Sequence, residues 1–177
     1  ATAAQAQDAV KVGLILPMTG PFASTGRQVE AGARLYMQQH GDEVAGTKVE
    51  LIVKDDAGVA DQTKRLAQEL VVREGAKVIA GFGLTPLAMA TAPIATQAKV
   101  PMIVMAAATS SITEKSDYIV RTSFTLPQAS LGMAKWAADN GIESVTTLVS
   151  DYAPGIDAAD AFKKVFEEAG GKVVEEI

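Results

Sequence analysis

The sequence predicts an α/β fold: a parallel sheet with helices on both faces, followed by the beginning of a second, similar lobe. Three observations carry this. Strand-like apolar runs alternate with segments of helical periodicity, several helical segments stop at a glycine, and the same rhythm resumes after a turn-rich break near residue 122.

Val10 to Leu16 is a near-continuous apolar run, the first strand. Arg27 to Gln39 places Val29, Ala33, Tyr36 and Met37 on one helical face, and Lys48 to Lys54 alternates Val49, Leu51 and Val53 as a strand. Asp61 to Arg73 carries Leu66, Ala67, Leu70 and Val71 at helical spacing before the stop at Gly75. Lys77 to Ala80 is the third strand, Pro86 to Gln97 the third helix and Met102 to Met105 the fourth strand. This βαβαβαβ order implies a parallel sheet with helices on both faces.

After Ala106 the rhythm breaks into the loop AAATSSITEKSD, then a short strand from Tyr118 to Thr122. It resumes with helix Gln128 to Asn140, strand Ser144 to Val149, helix Gly155 to Ala169 and strand Lys172 to Ile177. Two strands and two helices cannot close a core alone, so they either extend the first sheet or begin a second lobe. The turn-rich Thr122 to Pro127 favours the second reading. The expected organisation is a terminal segment 1–9, a first lobe 10–122, a crossing 123–127 and the beginning of a second lobe 128–177. The edge from Lys172 to Ile177 is expected to pair with another copy or with a C-terminal part of the protein outside this sequence.

Composition narrows the function classes. A net charge of -5 without any Lys/Arg run argues against nucleic acid or an anionic membrane surface as partner. Cysteine is absent and His40 is the single histidine, which leaves no thiolate nucleophile, no Cys-based metal site and one candidate general base. His40 closes the first helix, where a histidine commonly meets the carbonyls and the helix dipole. No catalytic residue, metal or cofactor is therefore expected. No apolar run approaches the roughly 20 residues that span a bilayer. Ala4-Gln5-Ala6 has the small-x-small form of a signal-peptidase site, which reads as an export-signal remnant or as an Ala-rich disordered terminus.

Candidate binding residues lie in the loops after the strands, where ligands bind in parallel α/β sheets. The first corner, Pro17 to Gly26, contains Pro17 and Pro21, which have no N–H to offer a phosphate, so it is not a nucleotide corner. Thr85 precedes Pro86 at a helix start, the arrangement of a cap followed by the first helical residue; it either holds a carboxylate at the positive helix end or simply caps its helix. Ala106, Ala107 and Ala108 leave backbone N–H groups uncovered, and Thr109, Ser110 and Ser111 add hydroxyls; the alternative is a plain turn into a helix start. Asp55 and Asp56 are read mainly as turn and cap residues, against acid–base or metal roles. Phe22, Phe82 and Tyr152 fall in loops, where each walls an apolar ligand or plugs the base of a sheet.

The segments VKVGLILPMTGPFASTG, LIVKDDAG, VIAGFGLTPLAMATAPIA, VPMIVMAAATSSIT, YIVRTSFT and VSDYAPGIDAADAFKKVFEEAGGKVV, in this order, resemble the periplasmic substrate-binding proteins of ABC importers, of the leucine/isoleucine/valine-binding type. The resemblance implies two Rossmann-like lobes (the type I fold) joined by three crossings, closing on a ligand without catalysis. It implies that Thr85 and the Ala106 to Thr109 loop hold the ligand carboxylate, that Thr25 stands at the first-loop contact and that Tyr152 lies in the second-lobe contact loop. The acidic partner of a ligand ammonium group would fall beyond Ile177. LPMTGPFASTG, VMAAATSSITE, RTSFTLPQ and SDYAPGIDA also look like a subgroup that takes aromatic carboxylates.

The expected function is an exported, periplasmic solute-binding protein that captures a small carboxylate, a branched-chain amino acid or an aromatic acid, for a membrane permease. Alternative readings are a ligand-sensing domain of a receptor or regulator, and, weakened by the prolines of the first corner, an NAD-dependent or hydrolytic enzyme.

Overall fold

A computed structural model of the chain describes residues 9–177. The Ala4 to Ala6 motif lies outside the described residues. The chain divides into two compact units: Ala1–Ala107 with Thr113–Thr122, and Ala108–Ile112 with Ser123–Ile177. The short stretch Ala108–Ile112, which the sequence places in the first lobe, groups with the second unit.

The first unit is built on a six-stranded sheet. Its strands are β1 (Val10–Leu16), β2 (Glu43–Val44), β3 (Thr47–Asp55), β4 (Val78–Gly81), β5 (Met102–Val104) and β6 (Ile119–Arg121), in the spatial order β2-β3-β1-β4-β5-β6. All pairings are parallel except β2 with β3. That hairpin is absent from the sequence reading because a two-residue strand leaves no periodicity. Its turn, Ala45-Gly46, has both residues at positive φ (50° and 80°), the conformation that matches strand twist in two-residue hairpins.

Three helices connect the parallel strands: α1 (Ala23–His40), α2 (Ala60–Gln68) and α3 (Thr85–Ala98). Alternation along β1 sends Leu14 and Leu16 to one face, where they pack with Ala80, Val29, Ala33, Leu51 and Val53. On α1 the side chains facing the sheet are Val29 and Ala33, whereas Tyr36, expected beside them, is exposed and stacks on His40 with ring centroids 4.3 Å apart. The helix expected to run unbroken to Arg73 instead widens after Gln68 into a π-helical turn, Glu69–Arg73, where the Glu74 N–H donates to the Glu69 carbonyl. That turn carries fully buried Leu70 onto the face of β1 opposite Leu14: a Cβ on Gly13 would stand 2.6 Å from the Leu70 side chain. Glu69 and Glu74 both meet Lys54 on β3, at 3.2 and 2.6 Å.

The second unit contains α4 (Leu126–Asp139), β7 (Ser144–Thr147), α5 (Ala153–Glu168) and β8 (Lys172–Glu176), with β7 and β8 parallel. Thr125 and Gln128 form a reciprocal capping box at the start of α4. The core is small: Phe166, Ala134 and Ala137 are buried, flanked by Phe162, Val165, Val145 and Val173. Between β5 and β6 the expected loop forms a short 3-10 helix, Ser110–Lys115. Among the described residues no helix is long and apolar enough to cross a membrane.

Candidate functional site

From β1 the chain steps to β3 on one side and then crosses to β4 on the other. The order therefore reverses between β1 and β4, and the crevice outside their carboxyl ends is where a sheet of this kind accepts a ligand. Three chain segments meet there: the loop after β1, the loop after β4 and the exit of β5.

Close backbone packing holds them. Phe82 donates its N–H to the Ile15 carbonyl at 3.0 Å and accepts the Ala107 N–H at 2.9 Å, and the Met105 N–H reaches the Gly81 carbonyl at 2.8 Å. Gly81 (φ 113°) sits so close that a Cβ would collide with the Ile15 carbonyl oxygen. Phe82 itself adopts a φ of 64°, a strained state for an aromatic residue, and its ring is fully buried. Of the two readings of Phe82, this geometry makes its ring a plug under the corner, with the backbone as the part that shapes the crevice. Phe22 differs: it is 43% exposed at the start of α1 and lies over Gly58, as does Leu84. Thr25 is half-buried in the first turn of α1.

Thr85 is the first residue of α3; the cap position belongs to Leu84, which makes no side-chain capping bond. This corrects the expectation that Thr85 is the cap. Its side chain is 3% exposed, followed by Pro86 in the opening turn, so the residue stands at the positive end of α3 in water-excluded surroundings. Ala106 and Ala107 leave β5 alongside, the latter tied to Phe82. In the second unit Ala108 accepts the Leu126 N–H at 2.9 Å and Thr109 is buried. Tyr152 holds the cap position of α5 and is 43% exposed. The predicted residues are thus distributed over both units: Phe22, Thr25, Phe82, Thr85, Ala106 and Ala107 in the first, and Ala108, Thr109 and Tyr152 in the second.

Asp55 and Asp56 resolve into turn roles. The Asp55 carboxylate accepts the backbone N–H groups of Met18 (2.8 Å), Thr19 (3.3 Å) and Ala57 (2.8 Å) and the Thr19 hydroxyl (2.7 Å), so the end of β3 fastens the loop after β1. Burial alone would raise its pKa, but the Thr19 hydroxyl and these three amides outweigh it and hold the carboxyl below its ordinary value. Asp56 goes the other way: burial pushes it up, only partly offset by the Gly58 N–H and the Thr63 hydroxyl. The sequence suggested no partner for either residue: Met18 and Thr19, which donate to Asp55, lie 37 and 36 positions before it, while the donors of Ala57, Gly58 and Thr63 are brought in by the turn into α2.

A pH dependence follows. Asp55, depressed in the folded state, contributes stability that is present above its unfolded pKa of about 3.9 and lost as pH falls through the folded value; raised Asp56 contributes stability at acid pH that is lost on going up. Urea midpoints should fall from pH 7 to pH 3, more steeply in Asp56→Asn, where the opposing group is gone. Asp55→Ala should cost about 2 kcal/mol at pH 7, the scale of hydrogen bonds to a charged acceptor, and flatten the acid loss.

His40 lies exposed in the last turn of α1, at the end of that helix remote from the loop that follows β1. Sequence reasoning missed Asp157, whose carboxylate accepts both the backbone N–H and the hydroxyl of Ser110. A lone carboxylate inside a helix gives no sign in the sequence of a partner 47 positions away.

Residues 9–177 match the periplasmic binding protein family. The chain is 52% identical over 179 residues to the Leu/Ile/Val-binding protein homolog 6 of Brucella abortus (strain 2308), covering 100% of this chain and 46% of that protein. It superposes with a TM-score of 0.94 and 62% identity on a solute binding protein of an ABC transporter from Rhodopseudomonas palustris BisB5, solved in complex with 3,4-dihydroxybenzoic acid; 97% of this chain and 47% of that one are covered. A second R. palustris solute binding protein, in complex with 4-hydroxybenzoate, gives a TM-score of 0.93 at 51% identity over 96% of this chain and 46% of that one. The chain spans about half the length of these relatives. With a doubly wound first unit and a match that runs through both units, the chain belongs to the periplasmic binding protein family.

Proposed function

We propose that the protein carrying this chain is a periplasmic, non-catalytic solute-binding protein that captures a small aromatic carboxylate and delivers it to the membrane permease of an ABC importer. The observation that carries the reading is the corner at the carboxyl ends of β1, β4 and β5. There Thr85 opens α3 at its positive end, the backbone of Ala106 and Ala107 runs alongside, and no Lys or Arg lies in these loops. Neutral donors and a helix dipole hold a carboxylate without the desolvation cost of a buried cation, which suits capture followed by release. Phe22 and Thr25 are the further candidate contacts of the first unit; Ala108, Thr109 and Tyr152 are those of the second. Phe82 supports the floor. The benzoate-type ligands in the two R. palustris structures favour an aromatic acid over a branched-chain amino acid. The name of the Brucella relative supports the second reading, a branched-chain amino acid. The open edges of β7 and β8 suit pairing with further strands of the same protein or of a second copy.

Isothermal titration of the protein carrying this chain, together with any sequence that follows Ile177, with 4-hydroxybenzoate, 3,4-dihydroxybenzoate, benzoate and leucine decides between the readings. The hydroxybenzoates are expected to bind and leucine to bind far more weakly; the reverse order would establish the amino-acid reading, and no binding by any of them would overturn both. Thr85→Val should weaken hydroxybenzoate binding by about 10- to 100-fold, the loss of one hydrogen bond to a charged acceptor.

A further inference from the structure

Asp157 lies in the first turns of α5, a few residues after Tyr152 at the cap position. Both of its carboxylate oxygens are taken up by one residue: Oδ2 accepts the Ser110 N–H at 2.8 Å and Oδ1 accepts the Ser110 hydroxyl at 2.7 Å. A two-point, charge-assisted contact of this kind fixes direction as well as distance. The partners are 47 residues apart in sequence, and both belong to the second unit.

The consequence falls on the residues just before Ser110. Ala108 is held through its carbonyl by the Leu126 N–H at 2.9 Å, and Ser110 is held by Asp157. Thr109, 4% exposed, stands between these two anchors, so its backbone and hydroxyl have little freedom to turn. Sequence alone counts the Ser110 hydroxyl among the donors offered to a ligand anion. In the folded chain Asp157 already supplies the anion that Ser110 binds, which leaves Ala108 and Thr109 as the residues of this segment that the carboxylate-binding reading uses.

We propose that Asp157 is a positioning residue for carboxylate capture: through Ser110 it sets the direction in which Ala108 and Thr109 present their donors, without touching the ligand itself. This rests on the carboxylate-binding reading given above. Loss of the clamp leaves the donors in place but no longer pre-oriented, so each binding event must order them.

The test uses the protein carrying this chain together with any sequence that follows Ile177. Wild type, Asp157→Ala, Asp157→Asn, Ser110→Ala and the Asp157→Ala/Ser110→Ala double variant are titrated calorimetrically with 4-hydroxybenzoate, and the thermal midpoint of each is measured without ligand. Asp157→Ala is expected to raise Kd about tenfold. Asp157→Asn, which keeps an acceptor for the Ser110 N–H, should recover most of that loss, and the double variant should bind no more weakly than Asp157→Ala because both changes break one contact. A purely structural role would lower the thermal midpoint and leave Kd unchanged, and that result overturns the proposal. If Asp157→Ala does not fold, wild-type affinity in both Asp157→Asn and Ser110→Ala overturns it equally. Wild-type protein that binds no carboxylate overturns the functional reading and this inference together, whereas tight wild-type binding with unchanged affinity in Asp157→Ala overturns this inference alone.

Discussion

Gly26→Ala is expected to cost about 3 kcal/mol or more, the largest loss from adding a single methyl group to α1. Gly26 is buried in the first turn of that helix, and a Cβ there would collide with the carbonyl oxygen of Pro17. The obstacle is backbone, and the backbone cannot retreat: Pro17 packs against Gly83, and the next two residues are fastened by Asp55. Relief would require moving the loop after β1 out of the corner it builds with β4. A fall of roughly 6–12 °C in thermal midpoint is expected for a chain of this size. Gly32→Ala supplies the internal control. It lies in the same helix with open space around it, so replacing it should raise stability by about 0.5–1 kcal/mol through the loss of glycine's unfolded-state freedom. Equal effects at the two positions would show that the Pro17 contact does not govern the corner.

Phe166→Ala is expected to cost about 3–5 kcal/mol and to act on the second unit. Phe166 is fully buried at the centre of a core whose other buried members are alanines, Ala134 and Ala137, and its ring packs on Phe162 with centroids 5.4 Å apart. The buried alanines are too short to fill the cavity. Gly171 reinforces the point, since a Cβ there would come within 2.5 Å of the ring, so the turn before β8 is shaped around it. Amide exchange should show α4 and α5 losing protection while β1, β3 and β4 keep theirs, because the first unit has its own core around Leu14 and Leu16. Uniform loss of protection across both units would argue that the cores are not energetically separate.

Much of the fold was legible in the sequence because strands and helices advertise themselves by periodicity. β1 runs from Val10 to Leu16 as its apolar run suggested, and Gly75 and Gly141 stand at φ 73° just past helix ends. The departures have local physical causes. A two-residue strand such as Glu43–Val44 carries no period, and a π-helical turn shifts register by one residue, which a helical pattern tolerates without notice. The candidate site was legible as a set of loops, since loops after parallel strands gather at one edge of the sheet. Which atoms of those loops remain available was not.

The sequence by itself determined the class of the fold, the order of its longer strands and helices, and the absence of thiol and multi-histidine chemistry, because these depend on residue type and spacing along the chain. Only the tertiary structure decided that Phe82 is enclosed, that Asp55 fastens the loop after β1 and that Asp157 occupies Ser110. Those outcomes depend on contacts between residues up to 47 positions apart, where a hydrogen bond's distance and direction follow from how the elements pack.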